Sequence, residues 1–230
     1  MATQTKTAVL TIVRHGQTEA NNTKVIQGWT DTPLNDLGIK QAKAAGQALK
    51  DIEFNQAYSS DLKRANKTCQ IILEENQKST TSVENIKQVK LLREFNFGVF
   101  EDKSEAEFRA EKEKYGDGFV PENGEGSSDV QNRAREFVKL FTNDIVNAKE
   151  EAPSILIVSH GGFIRKLFTK IFFDEMSCCV PPNANTALPY DIIKNTCISK
   201  FEINVCTENH IIKTMKCQEL CNAMHLSGLT

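Results

Sequence analysis

The chain has almost no net charge: 28 basic residues against 30 acidic leave -2 over 230 residues. Such a balance sets up no global field for nucleic acid or an anionic membrane, so any anion site has to be built locally. Long apolar runs are also missing. No stretch approaches the roughly 18 residues that span a bilayer, and the opening MATQTKTAVL has no apolar core behind a basic segment; both absences predict a soluble, cytoplasmic protein with no membrane partner. The seven cysteines are odd in number and irregularly spaced, in a chain long enough to bury a core without staples, so reduced thiols are expected. Cys217 and Cys221 have no second pair at zinc-finger spacing, since His210 and His225 flank them irregularly; neither a metal nor a cofactor is expected. Repeats and low-complexity tracts are absent too. One domain, 1–230, is the default for this length, with a helical insertion near 103–150.

What is present is a repeated grammar. AVLTIV is continuously apolar and β-branched, as a strand covered on both faces requires, and it ends abruptly in Arg14-His15-Gly16. SILIVS repeats the pattern and ends in His160-Gly161, before a helix with Phe163, Leu167 and Phe168 inward. Between them the spacing predicts a helix over IKQAKAAGQALKD, a strand at FNQAYSS, and a helix over DLKRANKTCQIILEE with Asp61 as its cap. A short extended piece at VKLLREF, a charged helix at SEAEFRAEKEKYGDG and a helix from about Asp129 to Lys149 follow. After a Pro/Asn loop from Pro181 to Pro189, CISKFEINV and IIKTMKCQE alternate as an edge hairpin joined by CTEN. The fold class is α/β: a three-layer αβα sandwich around a mostly parallel central sheet, with the C-terminal hairpin at its edge.

Arg14 and His15, taken alone, read equally well as polar residues leaving a core strand for solvent. The other strand ends change the weighing. Ser59-Ser60-Asp61 with Arg64 one helical turn on, Arg93-Glu94, and Ser159-His160-Gly161 all fall at the carboxyl edge of a parallel sheet, where residues distant in sequence share one crevice. Two histidines, two or three arginines and one carboxylate make a poor cation site, because the arginines repel a metal, and a good oxyanion site.

Five stretches in order, VRHGQTEAN, QGWTDTPLNDLGIKQA, SSDLKRANKT, LLREFNFGVFE and SHGGFIRKLF, resemble the histidine phosphatase (phosphoglycerate-mutase-like) superfamily. The resemblance implies a phosphohistidine enzyme with His15 as nucleophile, Arg14, Arg64 and His160 around the phosphoryl group, and Glu94 as proton donor. Asn21, Gln27, Gly28 and Gly161 then line the phosphate and substrate mouth, with an amide at Gly161 or just after Gly16 completing the cradle. A loose, charge-rich phosphoryl transition state asks for positioned cationic donors, and an imidazole attacks only with one ring nitrogen unprotonated. A histidine cation at 160 would add a further donor.

Family mutases carry a longer insertion after the acid position, which favours a phosphatase here. VIQGWTDTPLNDLGIKQAKAAGQAL, NTCISKFEIN and LCNAMHLSGLT resemble the fructose-2,6-bisphosphatase branch, although a longer linker before SILIVSHG is absent. That branch implies hydrolysis of fructose 2,6-bisphosphate to fructose 6-phosphate, restraining glycolysis. The alternatives are a broad-specificity or 2,3-bisphosphoglycerate phosphatase, a phosphoglycerate mutase, or an inactive scaffold. A second phosphate would need its own cations, for which Arg109, Lys112, Lys114 and Lys24 are candidates. The expected partner is a small phosphorylated metabolite, with the chain a monomer or weak homo-oligomer. Asp102 stands where the family often has glycine, and aspartate tolerates the positive φ that such a place can require.

Overall fold

The computed structural model describes residues 4–116, 118–179 and 193–229; the loop from Pro181 to Pro189 lies outside them. Among the described residues six strands and six α-helices follow one another as β1 (Thr5–Arg14), α1 (Glu19–Asn22), α2 (Asp36–Ala48), β2 (Gln56–Ser59), α3 (Lys63–Glu75), β3 (Lys87–Gln88), α4 (Glu105–Tyr115), α5 (Ser127–Asn147), β4 (Ser154–Ser159), α6 (Gly161–Lys166), β5 (Ile198–Cys206) and β6 (Ile212–Asn222). α6 runs on directly into a π-helix over Leu167–Glu175.

The sheet order is β3-β2-β4-β1-β5-β6. β1 and β4 pair in parallel from Val9↔Ser154 to Arg14↔Ser159, and β2 joins the other side of β4 in the same sense. β5 runs antiparallel to both β1 and β6. The expected edge hairpin is therefore present, and β5 alone opposes the common strand direction.

Side-chain alternation along β1 divides the core. Ala8, Leu10 and Ile12 pack with Phe137 and Phe141 of α5 and with Phe163 and Phe168 beyond β4, whereas Val13 packs with Ala45 and Leu49 near α2 and with Ala65, Cys69 and Ile72 of α3. Two helical layers thus enclose a sheet buried on both sides, as the unbroken apolar runs require. α2 and α3 approach closely at Gly46, where a Cβ would stand 2.6 Å from that of Glu75. Among the described residues no helix is long and apolar enough to cross a membrane, and all seven cysteines are free thiols.

Three local expectations need correction. Asp61 does not cap α3, because its carboxylate is engaged by both sides of the Arg93 fork at 2.8 and 2.6 Å; Asp31 accepts the Lys63 amide at 2.7 Å instead. The extended segment is the two residues before VKLLREF, Lys87–Gln88, and the VKLLREF piece itself tightens into a 3₁₀ turn over Lys90–Leu92. The helix expected from Asp129 starts at Ser127, with Asp129 reaching back to the Gly126 amide at 2.8 Å. Asp102 does adopt the left-handed conformation, at φ 64.

Candidate active site

β1 and β4 deliver the two histidines together because their parallel ladder runs to the last residue of each: Arg14 pairs with Ser159, and the His15 amide donates to the Ser159 carbonyl at 2.9 Å. The rings stand 5.1 Å apart, centroid to centroid, inclined by 58°. His15 is 2% exposed and His160 fully buried.

The His15 ring is fixed by a contact between Nδ1 and the Gly16 carbonyl at 2.7 Å. A carbonyl only accepts, so Nδ1 carries the proton and Nε2 keeps its lone pair. Burial first, then the charges of Arg64 and Arg14, hold the His15 pKa well below the ordinary range. His160 is lowered for the same leading reasons, burial and then Arg64. Burial and the neighbouring cations thus favour the neutral His160 ring over the cation, and neither of its ring nitrogens has a protein partner among the described residues.

Arg14 and Arg64 are anchored by carbonyls and retain donors. Arg64 gives Nη1 to the Thr30 carbonyl at 2.8 Å and Nη2 to that of Gly28 at 2.7 Å, while Arg14 gives Nη1 to the Ile193 carbonyl. The buried Nε of each has no partner among the described residues. Burial lowers Arg64 to about 10, against the opposing pull of Glu94, so it remains a cation at neutral pH. Buried donors without acceptors are rare and costly, and an oxyanion held here would satisfy them.

Glu94 follows the 3₁₀ turn after β3 and turns its carboxylate onto the start of α6. Oε2 accepts the Gly162 amide at 2.9 Å, and Oε1 accepts those of Phe163 at 3.0 Å and Phe95 at 2.9 Å. Its carbonyl accepts Trp29 Nε1 at 2.9 Å and Arg133 Nη2 at 3.1 Å. Both the backbone and the side chain of Glu94 are therefore held in place.

Arg14, His15, Asn21, Gln27, Gly28, Arg64 and Glu94 line one cleft of about 380 Å³, and Gly161 lines an adjoining hollow with Arg14 and Glu94. His160 is not among the residues that line the cleft, and its ring stands against that of His15. The Asn21 and Gln27 side-chain oxygens accept Thr18 and Thr32 hydroxyls, with the shortest contact from Thr32 to Gln27 at 2.5 Å, which leaves their amide N–H groups as donors. Gly28 sits at φ 49, and a Cβ there would stand 2.2 Å from Glu101 Oε1, so only glycine brings its carbonyl to Arg64 in this turn.

Several expected residues are used elsewhere. Arg93 is spent on Asp61 and stacks on Trp29, 4.7 Å from the ring centroid. The amide after Gly16 is bonded to Gln41 at 2.9 Å, and that of Gly16 itself to Thr68 at 3.0 Å, so neither completes a cradle. Arg109 and Lys112 stand on the cleft wall, joined by Arg165 of α6, while Lys24 and Lys114 do not line it; Lys114 pairs with Glu111 at 3.9 Å.

Sequence reasoning missed the supports. The segment at 193–196 braces the end of β1: Asn195 Nδ2 donates to the His15 carbonyl at 2.9 Å, and the Thr196 amide to the Arg14 carbonyl at 3.0 Å. Arg133, in the middle of α5, clasps Glu125 and the carbonyls of Leu91, Arg93 and Glu94. A charged residue beside Ala134 in an otherwise apolar helix face was the available signal.

A family model for the histidine phosphatase superfamily (branch 1) matches residues 10–207. The fructose-2,6-bisphosphatase TIGAR B of Danio rerio is 32% identical, with 92% of this chain and 93% of that protein aligned. A phosphoglycerate mutase of Schizosaccharomyces pombe is 34% identical over 73% of this chain and 81% of its own. Among solved structures, the Bacillus anthracis phosphoglycerate mutase matches with a TM-score of 0.75 at 22% identity, covering 100% of this chain and 99% of that one, which speaks for the fold alone. Bacillus stearothermophilus YhfR matches with a TM-score of 0.71 at 26% identity, over 95% and 99%. By its strand order and by its likeness to these proteins, the chain is a phosphoric monoester hydrolase belonging to the histidine phosphatase superfamily, branch 1.

Proposed function

We propose that the protein hydrolyses fructose 2,6-bisphosphate to fructose 6-phosphate through a phosphohistidine on His15. The observation that carries this reading is the His15 tautomer: a neutral ring with Nδ1 tied to a carbonyl leaves the Nε2 lone pair free to attack, in a cleft walled by Arg14 and Arg64. Nε2 attacks phosphorus in line with the ester oxygen. Arg14, Arg64 and a His160 N–H take the equatorial oxygens, and Glu94 gives its proton to the departing alkoxide. In the second step the Glu94 carboxylate takes a proton from water as that water attacks the phosphohistidine, and inorganic phosphate leaves with Nε2 restored.

The bisphosphate reading is supported by the cations at the mouth, Arg109, Lys112 and Arg165, and by the name of the Danio rerio relative. Rapid quench with radiolabelled substrate should trap acid-labile, base-stable label on the peptide containing His15; label on serine would overturn the mechanism. The double change Arg109→Glu/Lys112→Glu should raise KM for fructose 2,6-bisphosphate several-fold and leave monophosphate kinetics nearly unchanged. Equal effects on both would indicate a general field rather than a second-phosphate contact. A wild-type enzyme faster on monophosphates than on any bisphosphate would remove the substrate assignment and leave His15 standing.

A further inference from the structure

The last residue of LLREFNFGVFE takes no part in the mechanism, yet its side chain is bonded to the loop that holds Arg64. Glu101 ends a 3₁₀ turn over Gly98–Phe100, and its chain neighbours tie it to the start of that loop: the Asp102 amide donates to the Ile26 carbonyl at 2.9 Å, and the Ile26 amide to the Lys103 carbonyl at 2.8 Å. The loop itself is a tight turn, closed by the Thr30 amide on the Gln27 carbonyl at 2.8 Å, with Gly28 inside it at φ 49. Glu101 Oε1 accepts the Trp29 amide at 2.8 Å and, from the foot of its own 3₁₀ turn, the Phe97 amide at 3.2 Å. Oε2 accepts the Thr30 hydroxyl at 3.1 Å.

Arg64 holds the same turn from the other side, giving Nη2 to the Gly28 carbonyl at 2.7 Å and Nη1 to the Thr30 carbonyl at 2.8 Å. The Gly28 carbonyl and the Trp29 amide belong to one planar trans peptide group, so its oxygen and its N–H point in opposite directions. Glu101 grips that plane by its N–H, and Arg64 by its oxygen. Thr30 makes the second arm, with its hydroxyl on Oε2 and its carbonyl on Nη1. Each oxygen of the carboxylate thus answers one Nη of the guanidinium through a single relay. A carboxylate, a peptide dipole and a guanidinium joined in line also strengthen one another's hydrogen bonds.

The guanidinium is planar, and two fixed Nη groups define its plane. Arg64 is 1% exposed, lines the cleft, and has no partner for its Nε among the described residues. The direction in which its remaining donors face the cleft is therefore set by these two arms. We infer that Glu101 is the positioning residue for Arg64, orienting the guanidinium through the Gly28–Trp29 peptide group and through Thr30 so that its free donors meet the phosphoryl oxygens. Removing the carboxylate strands the Trp29 and Phe97 amides and lets the Gly28–Trp29 plane rotate, and the Arg64 fork turns with it. This inference rests on the reading of Arg64 as a phosphoryl-binding cation.

The test uses p-nitrophenyl phosphate, whose leaving group needs no proton. An effect passed to Glu94 by the Trp29 indole, which donates to the Glu94 carbonyl at 2.9 Å, then does not enter. Glu101→Ala should lower kcat about 10- to 100-fold. In an Arg64→Ala background the same change should cost less than about twofold, because a cation that is absent cannot be misplaced. Glu101→Gln keeps one oxygen for the Trp29 amide and offers its NH₂ to the Thr30 hydroxyl as acceptor, so it should stay within about threefold of wild type. Thr30→Val removes only the bond to Oε2 and should lower kcat a few-fold, again only where Arg64 is present. That variant keeps the inference open to refutation if the alanine variant does not fold, since a valine variant at wild-type speed overturns it.

Losses that multiply when Glu101→Ala and Arg64→Ala are combined overturn it as well, because they would reflect general damage to the site. A glutamine variant as slow as the alanine variant does the same, by assigning the effect to charge rather than to orientation. An alanine variant as fast as wild type leaves nothing of the inference. An Arg64→Ala enzyme as fast as wild type would bring down the catalytic reading itself, and the inference with it, a result read without any change at Glu101.

Discussion

Acidification from about pH 7 to about pH 5 should destabilise this protein through His15 and His160 before its carboxylates contribute. Both imidazoles are held neutral, first by burial and then by Arg64, whereas in the unfolded chain each takes up a proton near pH 6.5. Below that value the unfolded state binds more protons than the folded one, so stability falls as pH falls; above it the contribution is intact. For a site that stays unprotonated in the native state down to about pH 5, integration over this interval gives about 2 kcal/mol, hence about 4 kcal/mol for the pair. That is a large part of a total of about 5–15 kcal/mol. Asp61 and Asp144, whose carboxyls are lowered, act only below this window. His225 is also lowered by burial and acts within it, so the comparison that isolates the pair is with His15→Gln/His160→Gln, which retains His225. Urea unfolding in phosphate-free buffer, followed by fluorescence of the single tryptophan, Trp29, supplies the free energies. Wild type should lose about 4 kcal/mol more than the double variant between the two pH values. Equal losses would mean that the two histidines take up protons in the folded protein as they do in the unfolded chain, and would refute the lowering of their pKa by burial and Arg64.

Glu94→Gln should depress kcat for a sugar phosphate far more than for p-nitrophenyl phosphate, whose leaving group needs no proton; equal losses in steady-state assays would remove Glu94 from the acid role. Thr68→Val strands the Gly16 amide and should cost about 1–3 kcal/mol in urea unfolding, with Thr68→Ser near wild type; a neutral valine variant would contradict the 3.0 Å bond as a support of the His15 turn. Gly28→Ala should cut kcat/KM at least tenfold by moving the carbonyl that holds Arg64 Nη2, and an unchanged value would show that Arg64 is positioned from elsewhere.

Sequence carried the strand ends well because a parallel sheet brings every carboxyl end to one edge, whatever the loops do. Arg14, His15, Arg64 and Glu94 follow from that rule and from the family pattern, and the cleft gathers them. Arg93 broke the rule. It sits beside Glu94 in the chain, but Asp61 and the Trp29 ring, both distant in sequence, claim its guanidinium. The sequence left the His160 charge open because burial and two arginines, which lower its pKa, are tertiary facts, invisible in SHGG. The helix over Glu105–Tyr115 was read from its charges, whereas its packing comes from aromatic rings: Phe108 meets Phe97, Phe100 and Phe119 at 5.0, 5.6 and 5.9 Å, and Tyr115 stacks on Phe119 at 5.7 Å. The segment at 193–196 carries no motif at all, since its work is done largely by backbone groups.

The parallel ladder between Thr5–Arg14 and Ser154–Ser159 places Arg14 opposite Ser159, and this gives the spacing of the two imidazoles a discontinuous character. Slipping one strand against the other by a residue would move an imidazole about 3.3 Å and turn every side chain of that strand to the opposite helical layer. No intermediate setting keeps the core buried. Natural variation in this sheet can thus retain the histidine pair or abolish it, but cannot adjust it by degrees. Graded divergence of activity among such proteins should therefore accumulate in the walls that rise above the strand ends, where Arg109, Lys112 and Arg165 stand, while the floor stays as it is.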